Sequence, residues 1–258
     1  MGKFDDILLV TDLDGTLAVG KDIDKRNVEA IEYFKANGGK FTICTGRVWS
    51  YLKDIIDICT PNTYLISLNG AVILDVKTEQ YLYKGYLPLN YLKMTDAILE
   101  YSSDIDNVFV YFDNHSTSTV YTPDELKNAE AITDAKTKIH KVVFSFKDEN
   151  TAIQAVKNAN NLCLPELVCV RSWPTGVEIL NKNASKGASV IRVKEQISAK
   201  KLIAVGDFEN DISMLKAADI GYAVANSIDA VKLCADRITA PVTDASLAAV
   251  ISELDCSL

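Results

Sequence analysis

The sequence predicts a protein of the α/β class, in which a smaller α+β domain is inserted into a parallel-sheet core. The chain has 258 residues, which is enough for one or two domains with their own apolar cores. Strand and helix patterns alternate up to about residue 82, stop, and resume after residue 185. Alternating strand and helix units form parallel sheets with right-handed crossovers. The flanking segments therefore predict one discontinuous core over residues 1–82 and 185–258, interrupted by a domain over residues 83–184.

The first segment opens with an apolar run at 7–13, which is typical of a strand buried in a parallel sheet. Asp24 is placed to cap a helix that ends at Asn37-Gly38-Gly39. Asn69-Gly70 predicts a hairpin turn between two strands. The other elements predicted here are strands at 41–44, 64–68 and 71–74 and a helix at 48–58.

The middle segment mixes strands and helices in an order that indicates an antiparallel sheet. Its predicted helices cover 89–101, 123–131 and 149–159, and its predicted strands cover 108–112, 118–121, 141–146, 167–171 and 177–180. The last segment returns to alternation, with a helix up to 195, strands at 202–205 and 220–224, and helices at 209–217 and 228–235.

The composition excludes several classes of partner. Against 27 lysines and arginines stand 35 aspartates and glutamates, so the net charge is −8. Such a balance argues against binding nucleic acid or an anionic membrane, but a small anion can still bind through local donors. No apolar stretch is long enough to span a membrane, and the first residues do not form a secretory signal. Six cysteines without a C-x-x-C pair indicate reduced thiols, and we expect a cytoplasmic protein.

Two carboxylates follow the first predicted strand, in Asp12-Leu13-Asp14-Gly15-Thr16. Open α/β sheets place their active sites at the carboxyl ends of strands. Such a pair can bind a hard cation, and one carboxylate can attack an electrophile while the other transfers a proton. An EF-hand loop is excluded because its fifth and twelfth positions would be Thr16 and Ile23. An acidic turn or a helix cap remains the alternative.

Three further segments are expected at the same edge of the sheet. Thr45-Gly46-Arg47 combines a hydroxyl with a permissive backbone and helix N-terminal amides, which can bind an anion. Lys186 stands at the start of a helix, where a cation is disfavoured, and this indicates an anionic partner. The stretch 206–211 adds Asp207, Asn210 and Asp211 after another strand. Taken alone, each segment also fits a turn, a solvated lysine or an acidic cap.

Taken together, the four segments suit phosphoryl transfer with Mg²⁺. The cation screens the carboxylates from the phosphate, while lysine and hydroxyl groups bind the equatorial oxygens where charge develops. The small anion that the composition leaves open thus becomes the expected substrate.

This combination of motifs resembles the haloacid dehalogenase (HAD) superfamily of phosphatases, and more narrowly its Cof-type branch with a subclass IIB cap. The motifs stand here as Asp12-x-Asp14-Gly15-Thr16, Thr45-Gly46-Arg47, Lys186-Gly187 and Gly206-Asp207-x-x-Asn210-Asp211. Asn69-Gly70 and the segment around Asn226 also look like that branch. The resemblance covers essentially the whole chain, and it implies a Rossmann-like core and an inserted type-IIB cap over residues 83–184.

The resemblance also implies roles for individual residues. Asp12 would attack phosphorus to give an aspartyl-phosphate, and Asp14 would protonate the leaving group and then activate water. Asp12, the main-chain carbonyl of Asp14 and Asp207 would hold Mg²⁺, and Asp211 would orient the lysine or a water of the metal. The phosphate contacts implied are the Leu13 amide, Thr45, the Gly46 amide, Lys186 and Asn210.

The inserted domain is expected to select the substrate, because the core motifs recognise only the phosphate. The candidate contacts are Arg171, Trp173 and Glu178, with His115 and Lys141 as weaker candidates. An Arg-Ser-Trp-Pro stretch can stack on or hydrogen-bond to a sugar. Packing of Trp173 within the inserted domain is the alternative that we favour.

The sequence therefore predicts a Mg²⁺-dependent phosphoric monoester hydrolase that acts on small phosphorylated metabolites, with sugar phosphates as the expected class. A phosphomutase or phosphotransferase would use the same aspartyl-phosphate, and a phospho-aspartate signalling receiver also combines acids, a hydroxyl and a lysine. Receivers are shorter and lack an inserted domain. A non-catalytic binding domain on the same fold is a further alternative. We expect a monomer or a small homo-oligomer.

Overall fold

The computed structural model describes residues 2–113 and 117–257, so the weaker candidate His115 lies outside the described residues. The chain divides into two compact units. The first unit contains Met1–Tyr83 and Lys186–Leu258, and the second unit is the continuous segment Lys84–Ser185. Two separate stretches of chain must therefore meet to build the first unit.

The first stretch begins with a buried strand and a capped helix. Every residue of β1 (Ile7–Thr11) is buried. The helix α1 (Lys25–Ala36) begins after Asp24, whose side chain accepts a hydrogen bond from the Arg26 amide, as the cap pattern predicts. The other elements are β2 (Ala18–Val19), β3 (Asp22–Ile23), β4 (Lys40–Ile43), α2 (Lys53–Ile58), β5 (Leu65–Ser67), β6 (Val72–Leu74) and β7 (Tyr81–Lys84).

Three features of this stretch differ from the sequence prediction, the first being the strand β7, which was not predicted. The helix expected over 48–58 is divided into a 3₁₀ turn at Trp49–Tyr51 and the short helix α2. Val48 precedes the 3₁₀ turn, and Leu52 precedes α2. Neither side chain can accept a hydrogen bond from the unpaired backbone amides at the start of these elements. The β2–β3 hairpin was not predicted, because strands of two residues are too short to show a period.

The second unit contains the following elements in chain order: α3 (Tyr91–Leu99), β8 (Ile105–Phe112), β9 (Thr119–Tyr121), α4 (Pro123–Asn128), α5 (Glu130–Thr133), β10 (Ile139–Phe146), α6 (Glu149–Asn161), β11 (Leu167–Trp173) and β12 (Gly176–Asn181). Its strands form an antiparallel sheet in the order β11–β12–β10–β8–β9. Alternate residues such as Val142, Phe144 and Ile179 are buried in one apolar cluster with Ile98 of α3 and Ala155 of α6. The antiparallel sheet predicted for this segment is confirmed.

The last stretch contains α7 (Lys186–Gln196), β13 (Lys201–Gly206), α8 (Ile212–Ala217), β14 (Ile220–Val224), α9 (Asp229–Cys234), β15 (Arg237–Thr239) and α10 (Ser246–Ser257). The elements β15 and α10 were not predicted. The start of α10 is fixed by the buried side chain of Asn27, whose Oδ1 accepts hydrogen bonds from the Leu247 and Ala248 amides. None of the helices in the described part of the chain is both long and apolar enough to cross a membrane.

The central sheet of the first unit is entirely parallel, with the strand order β15–β14–β13–β1–β4. The strand β1 lies between β4 and β13, which come from opposite ends of the chain. The carboxyl ends of all five strands meet at one edge. Asp12, Thr45 and Asp207 follow β1, β4 and β13 at this edge.

The strand β5 joins this sheet only through an isolated parallel bridge between Cys44 and Ile66. Its main partner is β6, with which it pairs antiparallel, so the hairpin predicted at Asn69-Gly70 is confirmed. The hairpin turn itself, Leu68–Gly70, lies next to the carboxyl edge of β4 because the Asn69 amide donates to the Thr45 carbonyl.

Candidate active site

Three predicted motifs meet in a buried ion cluster at the carboxyl edge of the central sheet. Lys186 Nζ lies 2.5 Å from Asp12 Oδ1 and 2.6 Å from Asp211 Oδ1. The exposed fractions of the three side chains are 1% for Lys186, 9% for Asp12 and 0% for Asp211. These contacts join the end of β1 to the start of α7 and to the loop after β13.

The two carboxylates beside Lys186 explain why a buried lysine is tolerated at the unfavourable end of a helix. Burial by itself would lower the pKa of the ammonium group, but Asp12 and Asp211 outweigh it and hold that pKa well above its ordinary value. The anionic partners that the sequence indicated are therefore, in part, two carboxylates of the same chain.

Both carboxylate oxygens of Asp211 are engaged. While Oδ1 accepts from Lys186, Oδ2 accepts hydrogen bonds from the amides of Asp207 at 2.9 Å and Phe208 at 3.1 Å. A Cβ at Gly206 would lie 2.6 Å from the Cβ of Asp211, so this loop needs glycine. The arrangement suits a residue that orients Lys186 and the Asp207 loop.

Asp207 completes a cluster of three carboxylates, since ligand oxygens of Asp12, Asp207 and Asp211 all lie within 4.8 Å of one another. Thr16 Oγ1 donates to Asp207 Oδ1 at 2.8 Å and fixes that carboxyl group. Burial, reinforced by the charge of Asp211, raises the pKa of Asp207 to about 6. The same two causes raise the pKa of Asp12 well above its ordinary value, against the opposing effect of Lys186.

The donor set fits a divalent cation. Within the described residues, the three carboxylates share the ammonium group of Lys186, and the pKa values of Asp12 and Asp207 remain raised despite its charge. Carboxylate oxygens at this spacing are the ligands that hard divalent cations prefer. Because Asp211 is held on both oxygens, Asp12 and Asp207 are the side chains best placed to bind the ion.

The loop after Asp12 folds closely around Asp207. Gly15 has a φ of +81°, and a Cβ at this position would lie 2.6 Å from Asp207 Oδ2. Asn226 holds the loop from outside, because its Nδ2 donates to the Gly15 carbonyl and its Oδ1 accepts from the Val242 amide. The segment around Asn226, which looked like the Cof-type branch in sequence, is thus attached to the first motif.

Asp14 lies in a different environment from Asp12. Its side chain is 50% exposed and is paired with Arg47 through two hydrogen bonds, from Nε to Oδ2 at 2.9 Å and from Nη2 to Oδ1 at 2.5 Å. A two-point contact of this kind fixes the orientation of a carboxylate. The sequence analysis gave Arg47 no role of its own, although its place after β4 put it at the correct edge.

The predicted anion-binding segment Thr45-Gly46-Arg47, called the anion loop below, is held by its own backbone and by Asn69. The Thr45 hydroxyl accepts a hydrogen bond from the Arg47 amide at 3.2 Å, and a Cβ at Gly46 would lie 3.2 Å from the carboxamide of Asn69. Asn210, predicted to bind phosphate, donates from Nδ2 to Asn69 Oδ1 at 3.1 Å. The role of Asn69 as the link between these two segments was missed by the sequence analysis.

The candidates in the second unit are engaged with their own neighbours. Arg171 is buried, and its Nη1 donates to Glu149 Oε1 at 2.7 Å and to the Pro174 carbonyl at 3.0 Å. Glu178 forms an ion pair with Lys141 at 2.9 Å, and both side chains are 2% exposed. Their proposed contact with substrate stays a prediction.

The surroundings of Trp173 agree with the packing that the sequence analysis favoured, while its contact with a substrate stays a prediction. Its ring lies directly over Gly176, where a Cβ would come within 2.1 Å of the ring atoms. The residue nevertheless remains 37% exposed, so part of the indole faces solvent. Trp173 therefore packs within the second unit and keeps an accessible surface.

The family model for haloacid dehalogenase-like hydrolases matches residues 9–251. The chain is 28% identical to the 5-amino-6-(5-phospho-D-ribitylamino)uracil phosphatase YitU of Bacillus subtilis, over 95% of this chain and 96% of that protein. A haloacid dehalogenase-like hydrolase from B. subtilis superposes with a TM-score of 0.78 at 22% identity, covering 96% of this chain and 99% of the other. The subclass IIB sugar phosphatase BT4131 gives a TM-score of 0.75 at 21% identity, covering 96% and 98%.

The chain belongs to the haloacid dehalogenase-like hydrolases. It shares its fold with a subclass IIB sugar phosphatase, in agreement with the Cof-type resemblance of its motifs. Within that family it is a phosphatase that acts on phosphorylated substrates, a phosphoric monoester hydrolase. The α/β fold predicted from the sequence is confirmed. Membership of a hydrolase family excludes the signalling-receiver alternative.

The crowding of carboxylates predicts that the negative charge of Asp12 lowers the stability of the metal-free protein. Asp12→Asn removes one buried negative charge and keeps an oxygen that can accept from Lys186. In metal-free protein at neutral pH, we expect the variant to unfold at a higher temperature than the wild type. Each 1 kcal/mol gained corresponds to roughly 2–4 °C in a protein of this size. Thermal unfolding with a chelator present measures the difference.

Asp96→Asn on the exposed surface of α3 is the matched control, and its melting temperature should not change. A lower melting temperature for Asp12→Asn would contradict the unfavourable electrostatics of the cluster.

The raised pKa values also predict how pH and a divalent cation act together. For Asp207, protonation favours the folded state, so its contribution to stability is complete below about pH 4 and lost as the pH rises through about 6. The raised pKa of Asp12 acts in the same direction. A cation needs the ionised carboxylates and must displace these protons. The rise in melting temperature on adding Mg²⁺ should therefore be larger at about pH 7.5 than at about pH 5. An equal rise at both pH values would show that the cation binds elsewhere.

The surroundings of Arg171 predict a structural role for that residue. Arg171→Ala breaks the pair with Glu149 and should lower the free energy of unfolding by about 1–3 kcal/mol, while the ranking of phosphorylated substrates stays unchanged. Arg26→Ala, which breaks an exposed pair with Asp24, should cost less than about 1 kcal/mol. Denaturant unfolding and a substrate panel measure the two effects. A changed ranking with unaltered stability would identify Arg171 as a substrate contact instead.

Proposed function

We propose that the protein is a Mg²⁺-dependent phosphatase that hydrolyses small phosphorylated metabolites, with sugar phosphates as the expected class, through an aspartyl-phosphate on Asp12. The observation that carries the proposal is the buried cluster in which Lys186 bridges Asp12 and Asp211 beside Asp207. An attacking carboxylate, a cation and a phosphate-binding ammonium group are then available within one site.

Asp12 is the proposed nucleophile. An oxygen of its carboxylate attacks phosphorus, the ester P–O bond breaks, and the electron pair leaves with the alkoxide oxygen. Lys186, held at 2.5 Å from Asp12 Oδ1, keeps this carboxylate oriented and offers positive charge to the phosphoryl oxygens. Asp12, Asp207 and the Asp14 carbonyl would hold Mg²⁺, which when bound would supply further positive charge to screen the carboxylates from the phosphate.

Asp14 is the proposed acid and base. It gives a proton to the leaving alkoxide and later takes one from the water that attacks the aspartyl-phosphate, which releases inorganic phosphate and restores Asp12. Its half-exposed position supports exchange of this proton with solvent, and the paired hydrogen bonds from Arg47 hold the carboxylate in place.

The remaining phosphate contacts come from the chain around the cluster. We assign them to the Leu13 and Gly46 amides, the Thr45 hydroxyl and Asn210, with Lys186. Thr45 is fully buried at the end of β4, and the Asn210 carboxamide lies beside the same loop through Asn69. Donors fixed by the fold need little rearrangement when charge develops on the phosphoryl oxygens.

Residues 83–184 are proposed to act as the cap that selects the substrate, with Trp173 as its first candidate contact. Arg171 and Glu178 remain candidates, but their ion pairs with Glu149 and Lys141 favour a structural role for them instead. Trp173 has the exposed indole surface that stacking on a sugar requires. The relative YitU is named for a phosphorylated ribityl compound, which supports a phosphorylated polyol or sugar as the class to test first. The cytoplasmic location, the oligomeric state and the absence of a nucleic-acid partner stay predictions from composition.

The proposed chemistry predicts strict dependence on Mg²⁺ and on Asp12. Release of inorganic phosphate across a sugar-phosphate panel should require Mg²⁺ and stop on addition of a chelator. Asp12→Ala and Asp12→Asn should each lower kcat by at least about 10³-fold, because both remove the nucleophile. Asp96→Asn should retain wild-type rates.

Retained activity in either Asp12 variant would refute the nucleophile assignment, and absence of phosphate release over the whole panel would refute the substrate class. Product analysis covers the remaining alternative, since a phosphomutase or phosphotransferase would deliver the phosphoryl group to a second hydroxyl instead of water.

A further inference from the structure

A left-handed turn lies beside the anion loop. Its three residues, Leu68, Asn69 and Gly70, have φ values of 52°, 57° and 105°. This region of backbone conformation favours glycine and is rare for leucine. Two consecutive non-glycine residues keep such a conformation only where the surrounding structure holds them there, and such places are frequent at functional sites.

The turn is held by segments that carry the predicted motifs. The Asn69 amide donates to the Thr45 carbonyl at 2.8 Å, and the Leu68 amide donates to the Arg47 carbonyl at 3.2 Å. From the other side, Ser189 of α7 donates to the Gly70 carbonyl at 2.8 Å. The turn thus connects the anion loop after β4 with the helix that begins at Lys186.

The side chain of Asn69 reaches two of the proposed phosphate contacts. Asn69 is fully buried, and its Oδ1 accepts the hydrogen bond from Asn210 Nδ2. Its carboxamide also lies close to Gly46, where an added Cβ would come within 3.2 Å of it and force a small shift. One side chain therefore contacts residues from the loops after β4 and β13.

A carboxamide has a donor end and an acceptor end, and its use as an anion ligand depends on which end faces the anion. Because Asn69 presents its Oδ1 to Asn210, the Nδ2 donor of Asn210 is turned toward Asn69. Asn69 itself lies beside Gly46. The opposite orientation would bring two oxygens together. Asn69 in this way selects the orientation in which Asn210 can donate to a phosphate.

We infer that Asn69 is a positioning residue that orients Asn210 and braces the Thr45-Gly46 backbone for the phosphate group of the substrate. This inference rests on the proposed function, since Thr45, Gly46 and Asn210 are phosphate contacts only in that proposal. A purely structural role would follow from the turn alone, because asparagine is tolerated at positive φ.

The decisive variant is Asn69→Gly, which removes the carboxamide and keeps a backbone suited to the left-handed turn. Binding of inorganic phosphate in the presence of Mg²⁺, measured by calorimetry, should weaken by about tenfold to a hundredfold, the effect of losing a hydrogen bond to a charged group. We expect kcat/KM for phosphate esters to fall by a similar factor. The melting temperature should stay at or above the wild-type value.

The matched control is Asn62→Ala. Asn62 bonds the backbone at the amino end of β4, accepting from the Phe41 amide and donating to the Gly39 carbonyl, so it holds the same strand at the opposite edge. This variant should lower the melting temperature and leave phosphate affinity unchanged. A double variant with Asn210→Ala tests whether Asn69 acts on phosphate binding through Asn210. Once the Asn210 carboxamide is gone, Asn69→Gly should cause little further loss of phosphate affinity.

Wild-type phosphate affinity in Asn69→Gly would overturn the inference. The inference would also fail if the fold-losses of phosphate affinity in the two single variants multiplied in the double variant. Weakened phosphate binding accompanied by a fall in melting temperature like that of Asn62→Ala would also overturn it, in favour of a structural role. Phosphate binding is measured without turnover, so it separates this inference from the proposed activity. If the wild type binds phosphate but releases none from any ester, the proposed function fails and the result for Asn69 still stands.

Discussion

The buried ammonium group of Lys186 is the interaction on which the first unit depends. It lies between Asp12 and Asp211 and so connects the first stretch of the chain to the last. Without it, three carboxylates within 4.8 Å would face one another in a region from which water is largely excluded. A charge of this kind can remain buried only if its partners are close and well oriented. The loop around Asp211, which engages both of its oxygens, provides that orientation.

The first unit thus carries unbalanced negative charge at one edge of an otherwise apolar sheet. Every residue of β1 is buried, and the acidic cluster begins at the residue that follows it. This combination is unfavourable for the metal-free protein and favours the binding of a divalent cation. Stability and activity place opposite demands on the same carboxylates, as is common where residues are preorganised for catalysis.

How far the sequence predicts the structure can be judged from particular residues. Asp12, Asp207 and Asp211 could be assigned to one edge, because parallel strands align their carboxyl ends and the strands before these residues are clear apolar runs. Lys186 follows no strand of that sheet, and it was assigned by its unusual place at a helix start and by the resemblance of its motif. The contact between Asn69 and Asn210 could not be predicted, since it joins side chains 141 positions apart and depends on their final directions. The start of α10 was missed for a local reason. It follows Ala245 in a left-handed conformation, and no glycine or asparagine marks that turn. The pairing of Asp14 with Arg47 likewise depends on rotamers that no pattern records.

The position of β1 in the central sheet has a consequence for synthesis of the chain. Its neighbour β13 begins at Lys201, which pairs with Ile7, so nearly the whole polypeptide must leave the ribosome before this ladder can form. Until then, the run ILLVT lacks one of its two flanking strands, and pairing at such a sequence distance is slow. The second unit, encoded by one continuous segment, meets no such delay, because domains commonly fold as units during translation. In the nascent chain of this protein, one side of β1 therefore lacks its partner strand for most of elongation.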